Sequence, residues 1–234
     1  MTRARIGVFA SGGGSNVQAI LDHFRSLGVA RGGDIVVVAS DRAAAGALQR
    51  ASAANVATAT LRSRRHPEAE PLAEVLERFG VDLLVLAGYL QLVPLETTQR
   101  FAGRLLNVHP APLPSFGGPG MYGARVHRAV LAAGVQFSGP TVHFVDEEYD
   151  HGAVIAHWPV PVLQHDDEHS LAARVLRAEH LLYPRVVQAV ASGRVAPAGD
   201  GRLSRPFLRD DMPLLPFDPA LDDASLASYL ELSS

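Results

Sequence analysis

Three polar side chains, Asn107, His109 and Asp150, are of types that could assist the transfer of an acyl group. Asn107 and His109 lie at the end of an apolar run that predicts a strand, and alternation along this strand places both on the same side. An amide and an imidazole side by side can donate to one oxygen, as the stabilisation of an oxyanion requires. By themselves the two residues also fit a capped turn, and Asp150 fits an ordinary turn residue.

A glycine-rich segment, SGGGSN at 11–16, follows the first predicted strand and precedes the first predicted helix. Free backbone N–H groups and the positive end of the helix dipole point at such a junction, so the segment predicts a phosphate site. A tight turn with a helix N-cap is the alternative. Val17 stands where a dinucleotide-binding fingerprint requires a glycine, which argues against NAD.

Composition removes several classes of chemistry. The chain has no cysteine, and all 21 of its Lys or Arg side chains are arginine. Thiol nucleophiles, disulfides and cysteine-ligated zinc are therefore excluded, as are Schiff bases on lysine and the phosphate-binding lysine of a Walker loop. The groups left for nucleophilic or acid–base work are those of His, Asp, Glu, Ser, Thr and Tyr.

Charge and hydropathy favour small anionic substrates. A formal net charge of −3 provides no basic field for a nucleic acid or an anionic membrane surface. The longest apolar stretches, such as 83–87, are too short to span a bilayer, and the N-terminus enters a strand pattern directly. We expect a cytoplasmic location and neither a nucleic-acid nor a membrane partner, and the sequence leaves a homodimer open.

Two histidines, His165 and His169, are spaced like metal ligands on one turn of a helix. They lie among Asp166, Asp167 and Glu168 at a predicted helix start, where acidic residues commonly cap the helix. We therefore expect capping here, and no metal site.

The hydrophobic pattern predicts an α/β, Rossmann-like fold. Nearly continuous apolar runs favour a mostly parallel central sheet, and the amphipathic segments between them favour helices on both faces. Beyond the sheet we expect a C-terminal β-hairpin around 146–150 and then a helix that Pro184 bends or closes. The predicted strands are 5–10, 34–40, 57–61, 82–88, 104–108, 140–145 and 153–162, and the predicted helices are 43–54, 67–79, 125–133 and those that follow residues 16 and 167.

The regular pattern ends near residue 196. We expect one domain over 1–196, made of halves at about 1–100 and 101–196. Several prolines and one helical patch, 221–232, indicate a partly irregular C-terminal extension over 197–234.

Five segments in this order resemble the phosphoribosylglycinamide formyltransferase family, within the folate-dependent formyltransferases. The resemblance runs from about Arg5 to Val195. Each segment alone is common, but their joint occurrence is specific. The segments are SGGGSN, LAGYLQLVP, LLNVHPAPLPSFGG, TVHFVDEEYDHG and RAEHLLYP.

The resemblance implies transfer of the formyl group of 10-formyltetrahydrofolate to the amine of glycinamide ribonucleotide, a step of de novo purine synthesis that uses no metal. It implies that Asn107, His109 and Asp150 are catalytic. Our hypothesis is that the amine attacks the formyl carbon and that Asn107 and a protonated His109 hold the oxyanion. The carboxylate of Asp150 would keep the imidazole charged, because a nearby anion raises the pKa of histidine.

The resemblance also assigns binding roles, with phosphate binding in the first half and folate binding and catalysis in the second. Gly14, Ser15 and Asn16 would hold the phosphate of the ribonucleotide, and Leu176 and Glu179 would contact the same substrate. For Glu179 a solvated helix face is an equal alternative. The residues expected to hold formyl-folate are Arg65, Leu90, Gln91, Leu92, Val93, Asn107, Asp146, Glu147, Glu148, Tyr149 and Asp150.

Three features depart from the family pattern. Gln91 stands where arginine or lysine is common, so its backbone would have to serve the pterin. His151 replaces a smaller residue after Asp150, and the loop at 116–123 is longer than in many relatives.

Other functions remain open at this point. A formyltetrahydrofolate hydrolase or another folate-dependent N-formyltransferase would use the same three catalytic residues. A non-catalytic nucleotide-binding protein would need the glycine segment but not Asn107, His109 and Asp150.

Overall fold

Eleven strands and six α-helices make up the part of the chain that the computed structural model describes, which is residues 3–198, 202–205 and 207. The strands are β1 (Ala4–Phe9), β2 (Gly33–Ser40), β3 (Thr58–Thr60), β4 (Leu83–Leu86), β5 (Leu105–His109), β6 (Phe137–Ser138), β7 (Thr141–Phe144), β8 (Val154–His157), β9 (Val160–Pro161), β10 (Ala196–Pro197) and β11 (Leu203–Arg205). The helices are α1 (Ser15–Leu27), α2 (Gly46–Ala53), α3 (Leu72–Arg78), α4 (Leu95–Arg100), α5 (Ala124–Ala132) and α6 (Glu168–Ala191).

Seven of the strands form the central sheet, in the order β3-β2-β1-β4-β5-β7-β8. The first five are parallel, and β7 and β8 add antiparallel at one edge. This confirms the predicted mostly parallel sheet and its hairpin. Between β1 and β4 the strand order reverses direction, and in such sheets ligands bind beyond the carboxyl ends of the strands at this point.

Helices cover both faces of the sheet, as predicted. On one face α1 and α6 pack through fully buried side chains that include Val17, Ile20 and Tyr183. On the other face α3 contributes Val75 and Leu76. The apolar runs of β1 and β4 are buried from both sides, which is why they alternate so little.

One predicted strand was wrong, and of the two alternatives predicted for Pro184, a bend or the end of the helix, the second was wrong. The single strand predicted at 153–162 is two strands, β8 in the central sheet and β9 in a small sheet with β6. Here Pro159 lacks an N–H for the ladder, and Gly139 lies so close to the Trp158 carbonyl that no Cβ would fit. The helix α6 also continues past Pro184, because buried Tyr183 and Val186 on either side hold it in the core.

The expected C-terminal extension is described only at its start. Within it β11 pairs antiparallel with β10, which spans the predicted boundary at 196. Pro197 packs on the body of the fold, since a Cβ on Gly103 would come within 2.7 Å of its ring. The helical patch predicted at 221–232 lies outside the described residues, and the domain boundary stays a prediction.

Over residues 3–198, 202–205 and 207, none of the helices combines the length and the apolar character needed to cross a bilayer.

Candidate active site

A cavity of about 430 Å³ opens beyond the carboxyl ends of β4 and β5. It brings together the three residues predicted to be catalytic and most of those predicted to bind substrates. Its polar lining includes Asn16, Asn107, His109, Asp150 and Glu179. These residues come from α1, β5, the loop after β7 and α6, so only the tertiary fold assembles them.

The register of β5 and β7 determines which side chains meet in the cavity. Asn107 lies opposite His143 and His109 lies opposite Thr141 in this antiparallel pair. Asp150 reaches the same place from the loop after β7, where it adopts a left-handed backbone conformation with a φ of 55°. Its Oδ2 accepts a hydrogen bond from the Gly118 N–H at 3.0 Å. The two loops therefore hold the carboxylate 3.6 Å from the His109 Nδ1.

His109 is buried and oriented by a backbone carbonyl. Its Nε2 lies 2.8 Å from the carbonyl oxygen of Phe116, which can only accept, so Nε2 carries a proton. Burial lowers the pKa of His109, and the opposing effects of the Asp150 carboxylate and the Phe116 carbonyl do not offset it. The direction of this shift runs against the expectation that Asp150 keeps the imidazole charged, and that expectation stays a prediction.

His143 is a site residue that our sequence reasoning did not select. Its Nδ1 lies 2.8 Å from the Phe144 carbonyl and so carries the proton, which leaves Nε2 to accept from the Asn107 Nδ2 at 3.2 Å. This contact orients the Asn107 amide and leaves its second N–H for a ligand. Burial lowers the pKa of His143, against the opposing effects of the Phe144 carbonyl and of the Asp150 carboxylate, whose Oδ1 lies 3.7 Å from Nε2. The signal that could have identified His143 is its position in the TVHF strand, which pairs it with Asn107 in the neighbouring strand.

The glycine segment is a left-handed turn into α1. Gly14 is the N-cap with a φ of 75°, and no side chain caps the first turn. A Cβ on Gly14 would come within 2.5 Å of the Ala47 Cα, so α2 packs directly on this residue. Of the three residues predicted to bind phosphate, only Asn16 lines the cavity. Gly14 and Ser15 precede it in the chain and do not line the cavity.

We predict that Gly14→Ala lowers the free energy of unfolding by at least about 2 kcal/mol, because a left-handed conformation costs an L-residue about 1–2 kcal/mol before any clash with Ala47. Gly12→Ala is the matched control, since a Cβ there would meet nothing within 4 Å. Urea denaturation of the two variants measures the difference. Equal stabilities would contradict the assignment of Gly14 as the conformationally restricted glycine.

Glu179 is buried rather than solvated. Its Oε2 accepts a hydrogen bond from the Asn16 Nδ2 at 2.6 Å, and the residue is only 7% exposed. Burial raises the pKa of Glu179 to about 7, against a smaller lowering effect of Asn16. The solvated-face alternative for Glu179 is therefore wrong. Leu176, one turn earlier on α6, is half-buried and does not line the cavity.

The raised pKa of Glu179 predicts a pH dependence of stability. A carboxyl whose pKa rises from 4.5 to about 7 on folding stabilises the fold below 4.5, and this stabilisation is lost as the pH rises through about 7. Between pH 4.5 and about 7 the free energy of unfolding of the wild type should fall by up to about 3 kcal/mol more than that of Glu179→Gln. Urea denaturation at several pH values measures this, with exposed Glu77→Gln as the control. Parallel curves for wild type and Glu179→Gln would contradict a buried, protonated carboxyl.

The predicted folate residues form two walls of the cavity. Leu90, Gln91, Leu92 and Val93 line one wall, and Leu90 and Leu92 are 52% and 68% exposed, which is unusual for leucine beside a cavity. The Gln91 Nε2 donates to buried Asp41 at 3.1 Å, so the amide of this side chain is already engaged. The other wall consists of Asp146, Glu147, Glu148, Tyr149 and Asp150.

The long loop at 116–123 forms a further wall of the cavity, and the sequence did not predict this position. Gly118, Gly120, Met121, Tyr122 and Gly123 all line it. The loop therefore contributes to the site both through this lining and through the contacts it makes with catalytic side chains.

His151 contacts Asp146, in the cavity wall at 146–150, rather than Asn107 or His109. Its Nδ1 lies 3.0 Å from the Asp146 Oδ2, and this hydrogen bond raises the pKa of the exposed imidazole. The departure at this position therefore ties the two ends of the 146–151 loop together.

Arg65 lies apart from the other predicted folate residues. It is exposed and lines a second cavity, of about 470 Å³, with Gly12, Gly13 and Arg42. The structure does not bring Arg65 to the cavity that holds Asn107.

The acidic residues near His165 and His169 cap α6, as expected. Asp167 is the N-cap and accepts from the backbone N–H groups of His169 and Ser170. Asp166 forms a buried, two-pronged ion pair with Arg174 in which both N–O distances are 2.7 Å, and this pair lowers the pKa of the aspartate to about 2 against the effect of burial.

Comparison with known proteins identifies relatives over most of the chain. Residues 4–187 match the family model described as formyl transferase. The chain is 42% identical over 204 residues to a protein of Arabidopsis thaliana named phosphoribosylglycinamide formyltransferase, chloroplastic, covering 85% of this chain and 69% of the relative.

Solved structures give the same result. A glycinamide ribonucleotide transformylase 1 from Symbiobacterium toebii superposes with a TM-score of 0.77 at 39% identity, covering 88% of this chain and 95% of the other. A phosphoribosylglycinamide formyltransferase from Anaplasma phagocytophilum superposes with a TM-score of 0.77 at 32% identity, covering 87% and 94%. The chain belongs to the formyl transferase family.

Proposed function

We propose that this protein transfers the formyl group of 10-formyltetrahydrofolate to the amine of glycinamide ribonucleotide, which yields formylglycinamide ribonucleotide and tetrahydrofolate in de novo purine biosynthesis. One observation carries the proposal. Asn107, His109 and Asp150 lie in a single cavity whose lining also includes the Asn16–Glu179 pair and the segment 90–93. The names of the relatives from Arabidopsis thaliana and Symbiobacterium toebii support the same reaction.

Asn107 is the proposed oxyanion donor. Attack of the substrate amine on the formyl carbon turns the carbonyl into a tetrahedral centre with a negatively charged oxygen. One N–H of the Asn107 amide is engaged by His143, so the amide is already oriented and its second N–H is available to that oxygen. A donor that needs no reorganisation contributes most of its energy to the transition state.

His109 is the proposed proton carrier. In the free protein burial lowers the pKa of its imidazole, and its Nε2 proton is held by the Phe116 carbonyl. As the oxyanion forms, its negative charge favours the imidazolium, so Nδ1 can take the proton that the attacking amine loses. Asp150, 3.6 Å away, stabilises the positive ring, and the proton then passes to the departing folate nitrogen directly or through water.

The walls around Leu90 and Tyr149 are proposed to hold the folate. Exposed leucines and a loop that is held by hydrogen bonds at Glu147 and Glu148 would form a slot for a flat heteroaromatic ring. Because the Gln91 side chain is engaged by Asp41, its backbone would serve the pterin. The folate role of Arg65 stays a prediction.

The opposite end of the cavity is proposed to hold the ribonucleotide. Gly14, Ser15 and Asn16 begin α1, whose uncapped first turn offers backbone N–H groups to a phosphate. Arg50 places a positive charge beside them, because its Nε donates to the Gly13 carbonyl at 2.8 Å. Glu179 supplies a buried carboxyl for a polar group of the same substrate, while the role predicted for Leu176 stays a prediction.

The test is a direct assay. Purified protein is mixed with glycinamide ribonucleotide and 10-formyltetrahydrofolate, the folate absorbance is followed, and the formylated product is identified by mass. We expect turnover only when both substrates are present. Release of formate at the same rate without the ribonucleotide would instead indicate a hydrolase and overturn the proposal.

A further inference from the structure

We propose that the second cavity, beyond the carboxyl ends of β1, β2 and β3, binds a phosphate group at a site separate from the ribonucleotide pocket. This inference does not depend on the proposed function. The cavity measures about 470 Å³, and its lining includes Gly12, Gly13, Arg42, Gly46, Arg65 and His66. None of the residues that line it carries a carboxylate.

Two guanidinium groups approach the cavity from different loops. Arg42 follows β2 and Arg65 follows β3. Arg65 forms neither a hydrogen bond nor an ion pair with any residue of the described part of the chain, and its exposed side chain is therefore available to a ligand. The Arg42 Nε likewise has no hydrogen-bond partner among the described residues. Arg42 has one carboxylate partner, Asp41, at 3.9 Å, and Arg65 has none among the described residues. The two guanidinium groups therefore keep an excess of positive charge at this cavity, which favours an anion.

Two carboxylates contact residues that line the cavity. Asp41 is buried, and its Oδ2 is 3.9 Å from the Arg42 Nε and accepts from the Gln91 Nε2 at 3.1 Å. The exposed Glu68 lies 3.8 Å from the His66 Nδ1. Asp41 therefore offsets part of the charge of Arg42, while the charge of Arg65 remains uncompensated.

The backbone of the cavity also suits an anion. Its lining includes Gly46, the first residue of α2, and no side chain caps this helix start. A Cβ at Gly12 or Gly13 would meet nothing within 4 Å, so the outer face of the glycine turn is open to a ligand. The inner face, with Gly14 and Asn16, leads instead toward Glu179.

A phosphate matches this arrangement better than a single carboxylate does. Arginine recognises phosphate oxygens with paired, charge-assisted hydrogen bonds, and two arginines on separate loops can balance a dianion. The group could be free phosphate or part of a phosphorylated metabolite, and the chemistry of the site is the same for both.

The test is calorimetric titration of the full chain with inorganic phosphate at constant ionic strength. We expect Arg42→Gln and Arg65→Gln each to weaken binding about tenfold, the effect of losing one charge-assisted hydrogen bond. Arg64→Gln is the matched control, because Arg64 is an exposed neighbour that does not line the cavity, and its affinity should stay within about twofold of wild type. Absent binding by wild type, or equal weakening in all three variants, would overturn the proposal.

Competition distinguishes the site from the substrate pocket. Phosphate binding should persist in saturating glycinamide ribonucleotide and in saturating folate, whereas its loss in either would overturn a separate site. Titration with ribose 5-phosphate identifies the source, and binding tighter than that of inorganic phosphate would support a phosphorylated metabolite. Formyl transfer assayed on the same samples keeps failure of the proposed reaction distinct from failure of this site.

Discussion

His109→Ala is expected to lower kcat for formyl transfer about a thousandfold, while the Michaelis constants change much less. A positioned acid–base group contributes on the order of 10²–10⁴ to a rate, and His109 is the nearest such group to Asp150. The other imidazole near Asp150 belongs to His143, whose Nε2 lies 3.7 Å from the carboxylate but is engaged by the Asn107 amide. Steady-state kinetics with both substrates varied would measure the loss.

His157→Ala is the matched control for this experiment. His157 is an exposed histidine on β8, where its Nδ1 lies 3.1 Å from the Thr141 Oγ1, and it does not line the cavity. Its kcat should remain within about threefold of wild type, since it holds no substrate. If His109→Ala kept more than about a tenth of the wild-type kcat, the role of proton carrier would have to be withdrawn.

Asn107→Ala should lower kcat by about a hundredfold or more, because loss of one oriented oxyanion donor costs about 3–4 kcal/mol of transition-state stabilisation. The loss should fall on kcat and kcat/KM equally, as for an interaction made only in the transition state. Asn107 is half-buried, so the free energy of unfolding should change by only about 1 kcal/mol.

Asn107→Asp separates the effect of side-chain shape from the effect of the amide hydrogen-bond donor. Aspartate has the size of asparagine but no amide donor, and it would place a second negative charge beside the oxyanion. Its kcat should therefore fall at least as far as that of Asn107→Ala. Substantial turnover by the aspartate variant would show that the Nδ2 donor is not required.

Sequence reasoning was most accurate where the evidence was local. The glycine segment, the alternation of Asn107 and His109 on one strand, and the hairpin around 146–150 all follow from patterns a few residues long. It was least accurate where distant segments meet. His143 became a site residue only through its register with β5, and Glu179 became buried only because α1 packs on α6.

The protonation state of His109 shows why such effects escape a sequence. The proximity of Asp150 alone favours a charged ring, and that was our expectation. Burial acts in the opposite direction and is larger, because the surrounding core and the loop from Phe116 remove water from the imidazole. Desolvation depends on everything packed around a group, and no short segment of the chain specifies it.

The sequence by itself determined the strand and helix pattern, the available chemical groups and their order along the chain, because periodicity and composition are properties of neighbouring residues. The tertiary structure alone decided which groups share a cavity, which are buried and which face solvent. It placed Arg65 beside Arg42 rather than with Leu90, and it closed the site with the loop at 116–123. Such outcomes depend on contacts between segments that lie far apart in the chain, where burial and charge are set together.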